Sequence, residues 1–366
     1  MRINRHRTIE EDLARIVSAE LPWPDLDGAT VLITGAYGFI AAYITETLLF
    51  LNEKKVTGNP IKVLALGRSR EKALQRFAAH GGRPDLQFIL QDVSGPLKLA
   101  ANQRIDYIIH AASLASPKYF SPDPVGTFKP DVIGMYHLLE RARTTGVRGF
   151  LFISSIEVYG KFARTPSDPI TENQFGILDP LELRACYAEG KRACETMCRA
   201  WAHQYEVPTR IARLAHTYGP GMTLDDGRVF ADFVANVVHN EDIVLKSDGS
   251  GLRVFCYIAD AVAGLFTVLL KGETANAYNV VNEECEIRIF DLARLLCDMF
   301  PEKALKVVPL GRAAAANQAV WNNGFPVSSK KLQALGWQPC TSLQSGFRRT
   351  ILSYQNEARP TGRNEG

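Results

Sequence analysis

The chain of 366 residues predicts an α/β fold: a doubly wound parallel sheet followed by a smaller C-terminal lobe. Three observations carry this expectation. Short apolar runs alternate with longer helical patterns up to about residue 215, the rhythm of parallel strands joined by crossover helices. A glycine turn joins the first apolar run of that series to its first apolar helix. Beyond about residue 216, glycine, proline and aspartate lengthen the loops and the strands stand apart.

The elements follow in order. Ile9, Leu13, Ile16, Val17 and Leu21 recur at helical spacing, so residues 9–21 read as a helical preface, ended by Pro22 and Pro24. Thr30–Thr34 is the first strand and Ile40–Leu51 the helix after it. Pro60–Leu66, Leu86–Leu90 and Tyr107–His110 are the next three strands. Pro130–Thr144 reads as a helix, Gly149–Ile153 as a fifth strand, Ala188–Tyr205 as a helix and Thr209–Leu214 as a sixth strand. Ile243–Lys246, Tyr278–Val281 and Lys306–Pro309 are short strands expected to be isolated within the lobe.

Composition narrows the function classes. An apolar share of 46% and a charged share of 22% are those of an ordinary globular protein. A net charge of +3 without a long basic run argues against a nucleic-acid partner. No run of about 18 apolar residues suggests a membrane span, and no apolar stretch at the N-terminus reads as a secretory signal. The seven cysteines are scattered without Cys-x-x-Cys spacing, so reduced thiols, no metal and a cytoplasmic setting are expected.

Val31–Ala41 is a strand, a glycine turn and a helix start. Gly35 permits the tight turn. Gly38 lets a pyrophosphate approach the backbone at a helix N-terminus, whose unpaired N–H groups and dipole favour anions. Ala41 is the small residue that allows close helix–strand packing, and Tyr37, Phe39 and Ile40 belong to the same cradle. The cradle points to a nicotinamide dinucleotide and a Rossmann-like domain over residues 28–215. An extension over 1–27, a mostly substrate-binding lobe over 216–355 and a tail over 356–366 complete the division. The second strand ends in Leu66-Gly67-Arg68-Ser69-Arg70. Arg68 can pair with a 2′-phosphate, which leans towards NADP, with NAD left open. Asp92 and Val93, after the third strand, are placed to hold the adenine edge.

Tyr187-Ala-Glu-Gly-Lys191 puts a tyrosine and a lysine at i and i+4 on one helix face. The ammonium is expected to lower the phenol's pKa, so that Tyr187 serves as a base near neutral pH. Ser155 follows the end of the fifth strand and can hydrogen-bond the same substrate hydroxyl. A surface Tyr–Lys pair is the alternative; the glycine cradle upstream and Ser155 at the strand end argue against it.

With these residues the chain resembles the extended short-chain dehydrogenase/reductases of the nucleotide-sugar epimerase/dehydratase group, and within it the UDP-glucuronate decarboxylases. The shared pieces are His110–Pro117, Arg184–Arg192, Glu195–Cys198, Tyr218-Gly219-Pro220 and Asp226–Val229. The resemblance implies oxidation of a nucleotide-diphosphate sugar at C4 and chemistry through a transient 4-keto sugar. It implies Tyr187 as base, Lys191 as electrostatic partner and ribose contact, and Ser155 as hydroxyl partner. It places Ala111, Ala112 and Ser113 at the cofactor and Ser116, Arg184, Arg228 and Arg253 at the substrate. A homodimer built through a helix pair including Met135–Arg143 and Lys191–Gln204 is also implied.

Glu157 matches a position where dehydratases and decarboxylases carry an acid that removes a proton beside the ketone. Four departures stand against a decarboxylase. Ile156 occupies the position of a serine or aspartate. Gly324 occupies the position of an arginine that engages the uronate carboxylate. His216 replaces an asparagine and reads as either a substrate contact or a structural residue, and Asp131 replaces a helix asparagine. His110 reads as structural. The expected function is therefore an NAD(P)-dependent nucleotide-sugar dehydratase or epimerase. The alternatives are a UDP-glucuronate decarboxylase, an NADPH-dependent keto-sugar reductase and a non-catalytic NAD(P)-binding protein.

Overall fold

The structure is a computed structural model and describes residues 5–100, 102–162, 168–309 and 324–355. The tail over 356–366 lies outside the described residues. In chain order the strands are β1 (Thr30–Thr34), β2 (Lys62–Gly67), β3 (Leu86–Leu90), β4 (Tyr107–His110), β5 (Gly149–Ser155), β6 (Thr209–Leu214), β7 (His216–Tyr218), β8 (Ile243–Val244), β9 (Leu252–Tyr257), β10 (Asn276–Val280), β11 (Glu286–Arg288) and β12 (Val307–Val308). The main sheet runs β3-β2-β1-β4-β5-β6-β10. Every pairing in it is parallel. Every residue of β1, β4 and β5 is buried, which is why these strands read as continuous apolar runs.

Helices cover both faces. They are α1 (Arg7–Val17), α2 (Phe39–Glu53), α3 (Arg70–Arg76), α4 (Pro117–Phe120), α5 (Pro124–Thr145), α6 (Cys186–Tyr205), α7 (Val229–His239), α8 (Ile258–Lys271) and α9 (Ile289–Asp298). Two more, α10 (Lys330–Gln333) and α11 (Leu343–Gln355), follow. On one face Leu138 and Leu139 of α5 and Cys194 and Cys198 of α6 pack on Leu32, Phe150 and Phe152. On the other, Leu48 of α2 and Leu265 of α8 pack with Val31, Ile33 and Ile109. The strand order reverses between β1 and β4, so a crevice opens at their carboxyl ends, where ligands of such sheets bind.

Three expectations need correction. The strand expected at Tyr278–Val281 is not isolated: as Asn276–Val280 it pairs with β6 and closes the main sheet, so α8 and β10 form one more crossover unit. Ile243–Val244 and Val307–Val308 are not isolated either, but pair in parallel with each other. The helix expected from Pro130 begins at Pro124, with Asp123 accepting from Gly126 N–H at 2.9 Å as its N-cap. Asp followed by Pro is itself a helix-start signal, which the interior proline masked.

The N-terminal helix packs against α2 and α8. Its Asp12 is buried and accepts from Tyr257 Oη at 2.7 Å, Tyr43 Oη at 3.3 Å and Arg349 Nη2 at 2.8 Å. One carboxylate thus joins α1, α2, the end of β9 and α11.

Candidate active site

Gly35 has φ +63°, and a Cβ there would lie 2.7 Å from Ala112 Cα. Only glycine allows β1 to turn this close to the chain leaving β4. Gly38 is exposed and begins α2, with no side chain capping the first turn and no acid within it. The leading N–H groups of α2 therefore remain available to an anion. Tyr37 turns away from the crevice: its hydroxyl donates to Ala65 O at 3.2 Å and its ring edge meets Phe77 and Phe88. Phe39 and Ile40 are half-buried in the first turn of α2. At the end of β2, Arg68 Nη1 stands 3.7 Å from Asp92 Oδ2, and both side chains are largely exposed. Val93 is buried against Gly134.

At the end of β4, Thr34 Oγ1 accepts from the amides of Ala111 and Ala112 at 3.2 Å each and lies 2.8 Å from His110 Nδ1. With both amides donating to it, the hydroxyl donates its own proton to His110. Burial, and then the Lys191 charge, push the His110 imidazolium down to about 3, so the ring stays neutral. These contacts fit the structural reading of His110.

Tyr187 opens α6 and is 7% exposed. Phe120 of α4 lies flat against it, with ring centroids 4.8 Å apart. One turn on, the Lys191 ammonium lies 5.6 Å from the Tyr187 ring centroid. It donates to Asp131 Oδ1 at 2.8 Å and Ile153 O at 3.1 Å. Ser113 Oγ donates to the other oxygen of Asp131 at 3.0 Å. Burial raises the Tyr187 pKa above the ordinary phenol value, and Glu157 and Asp131 add to the rise against Lys191 and Arg228. The expected lowering by Lys191 is thus outweighed: the lysine's charge is shared with Asp131, and burial penalises the phenolate.

Ser155 ends β5, and its hydroxyl accepts from Glu157 N–H at 3.2 Å. Ser155 thereby caps a single 3₁₀ turn, Ile156–Tyr159, in which Glu157 is the second residue. A buried network anchors this segment. Arg213 donates to both oxygens of Glu195, at 3.0 and 2.7 Å, and to Tyr159 Oη at 3.0 Å, while Ser154 Oγ donates to Glu195 at 2.6 Å. Burial raises the Glu157 carboxyl, opposed by the charges of Arg184, Arg228 and Arg253.

Glu157, His216, Arg253 and Gly324 line one cavity. Burial, then Arg253 and Arg228, push the His216 imidazolium down to about 3, and its Nδ1 is buried without a hydrogen-bond partner among the described residues. Gly324 has φ +50°, and a Cβ there would lie 2.1 Å from Leu252 O, so no side chain can extend from this backbone. Arg228 pairs with Asp226 at 2.9 Å and donates to Ala115 O at 2.6 Å. Ser116 Oγ donates to Asp226 O. The Arg184 guanidinium faces the Phe120 ring, 5.8 Å from its centroid.

The fold therefore gathers Ser155, Glu157, Tyr187, Lys191, Arg184, Arg228, Arg253 and His216 around the carboxyl ends of β5 and β6 and the start of β7. The glycine cradle sits beside them at β1. Sequence reasoning missed Phe120 and the Arg213–Glu195 pair, because each acts through a partner distant in the chain. Asp131 stood out only as a departure. Among the described residues, no cluster of three or more His, Cys, Asp or Glu side chains could hold a metal. No described helix is long and apolar enough to cross a membrane.

Comparison with known proteins agrees with this geometry. The chain is 32% identical over 318 residues to UDP-glucuronic acid decarboxylase 6 of Arabidopsis thaliana, covering 87% of this chain and 86% of that protein. It superposes with a TM-score of 0.73 on a UDP-glucuronic acid 4-epimerase from Bacillus cereus, solved with UDP-glucuronic acid and NAD; identity is 20%, covering 90% of this chain and 99% of the other. A dTDP-glucose 4,6-dehydratase from Streptomyces venezuelae, solved with NAD, gives a TM-score of 0.72 at 24% identity, covering 89% and 97%. Residues 31–282, from the glycine cradle to the end of the main sheet, match one family model, and on that match the chain belongs to the NAD dependent epimerase/dehydratase family.

Proposed function

We propose that this enzyme is a nucleotide-sugar dehydratase or epimerase in which Tyr187 and Glu157 act in turn on one sugar. The observation that carries the reading is the position of Glu157: a half-buried carboxyl in the turn just after β5, electrostatically coupled to Tyr187 and faced by three arginines. The residues present fit a dinucleotide, because the Gly35 turn, the uncapped start of α2 and Lys191 line the β1–β4 crevice. Gly35, Gly38, Ala111, Ala112 and Lys191 would hold it, and when bound it supplies a reversible two-electron oxidation of the sugar at C4. Tyr187 accepts the proton of the C4 hydroxyl, while Ser155 orients that hydroxyl. Lys191 stabilises the phenolate. Glu157 then takes the proton from the carbon beside the ketone, which the ketone has acidified. Arg228 and Arg253 bind the diphosphate, for which charge-assisted guanidinium contacts are suited.

A second reading, decarboxylation of a UDP-uronate, draws on the similarity to the decarboxylases. Gly324 counts against it, since its backbone leaves no room for a carboxylate-binding side chain. Incubation with UDP-glucuronate and with neutral UDP- and dTDP-hexoses, followed by mass spectrometry, tests both. Neutral-sugar turnover without carbon dioxide supports the first reading; efficient release supports the second.

The choice between NAD and NADP rests on Arg68. For assembly we infer a homodimer formed by α5 and α6. Met135, Leu138, Leu139 and Ala142 of the expected interface turn inward, while Ile133 and Tyr136 are exposed on α5. Analytical ultracentrifugation of the protein and of Tyr136→Asp tests this; a monomeric parent protein ends it.

A further inference from the structure

We propose that Asp131 is a positioning residue that keeps Lys191 a cation and holds its ammonium in place beside Tyr187. The proposal rests on Tyr187 being the acid–base group, as argued above. Neither member of the Asp131–Lys191 pair reaches solvent appreciably: Asp131 is 0% exposed and Lys191 3%. A buried ammonium with only a carbonyl for company is costly and sheds its proton readily. Lys191 has that carbonyl, from Ile153, and one carboxylate, from Asp131, at 2.8 Å. Ser113 donates to the far oxygen of Asp131 and so keeps the carboxylate turned towards the lysine.

The other groups facing Lys191 do not replace Asp131. Tyr187 and Cys194 lie on its own helix, and burial raises the pKa of both, which disfavours the anions that could stand in for Asp131. His110 of β4 is kept neutral. Phe152 of β5 offers only its ring face, 4.9 Å from the ammonium to the centroid. Burial is the largest single influence on Lys191 and lowers its pKa; the net direction is upward because Asp131, through both its charge and its hydrogen bond, acts with Tyr187 and Cys194 against it.

The sign of the consequence follows. The Asp131 carboxyl is itself raised by burial, against Lys191 and Ser113. With Asp131 the folded-state pKa of Lys191 is raised, so the lysine's charge stabilises the fold fully below the unfolded lysine value and loses that contribution as pH rises through the folded value. In Asp131→Asn, burial dominates and the folded pKa falls below the unfolded value. That penalty is largest at low pH and fades as pH rises.

The test compares wild type, Asp131→Asn, Asp131→Glu and the double variant Asp131→Asn/Lys191→Met. Thermal melts from pH 6 to 10 are expected to show a deficit in Asp131→Asn that shrinks towards high pH, with Asp131→Glu recovering part of it. Turnover of Asp131→Asn is expected to fall about tenfold per pH unit above a new alkaline limb that wild type lacks below pH 10. If Asp131→Asn does not fold, the double variant is expected to fold, because it removes the stranded amine. A pH-independent deficit, or a double variant no better than Asp131→Asn, overturns the proposal. A shrinking deficit without an alkaline limb upholds the pair and instead overturns the role given to Tyr187.

Discussion

Phe120 lies parallel to Tyr187, its ring plane within 11° and its centroid 4.8 Å away. The contact covers one face of the phenol and excludes water from it. It also explains why burial, rather than Lys191, dominates the Tyr187 pKa.

Phe120→Leu keeps an apolar side chain but removes the stacking plane. Water then reaches the phenol, its pKa falls, and the acid limb of turnover moves to lower pH. The plateau rate falls as well, since the ring loses its orientation. A pH–rate profile that matches wild type in both limb and plateau would show that the stack has no part in catalysis.

Tyr187→Phe retains the stacked ring and removes only the hydroxyl. Turnover should fall at least about 10²-fold, the usual scale for losing a positioned acid–base group, while cofactor affinity changes little. Cofactor titration by fluorescence alongside steady-state assays separates the two. Turnover within threefold of wild type contradicts the assignment.

Glu157→Gln should stop uptake of solvent deuterium at the carbon beside the ketone but still allow reduction of the cofactor, read at the reduced-nicotinamide absorbance band. The loss in rate should be about 10²–10⁴-fold. Burial raises the Glu157 pKa, so the native carboxylate lowers stability as pH rises from the unfolded to the folded value. The variant should therefore melt above wild type at pH 7 and level with it in acid. Undiminished deuterium exchange removes Glu157 from the mechanism.

Arg68→Asp should move cofactor preference from NADP towards NAD. Losing charge-assisted contacts to a 2′-phosphate is worth roughly ten- to a hundredfold in affinity. Calorimetric titration of both cofactors checks this. A wild-type protein that already binds NAD far more tightly than NADP refutes the role of Arg68.

Asp12→Ala should destabilise the whole protein by about 1–3 kcal/mol, because it leaves two buried hydroxyls without their shared acceptor, while Arg349 keeps its pairing with Glu11. Chemical denaturation followed by circular dichroism measures the loss. A change below about 1 kcal/mol would mean that the N-terminal helix is held by apolar packing alone.

The sequence by itself determined the local elements. The ends of β1, β3, β4 and β6 were legible to the residue, because buried parallel strands are apolar runs bounded by turn residues. The Gly35–Gly38 turn and the Tyr187–Lys191 spacing were legible for the same reason: each is a pattern within a few consecutive residues. Only the tertiary structure decided the rest. It brought β10 to the edge of the main sheet rather than leaving it in the lobe. It set Asp131 against Lys191 from 60 residues away and Phe120 against Tyr187 from another segment. It also reversed the expected direction of the Tyr187 pKa. Proton affinities depend on how much water is excluded and on which charges the fold delivers. Both are set by residues distant in the chain, which no local pattern records.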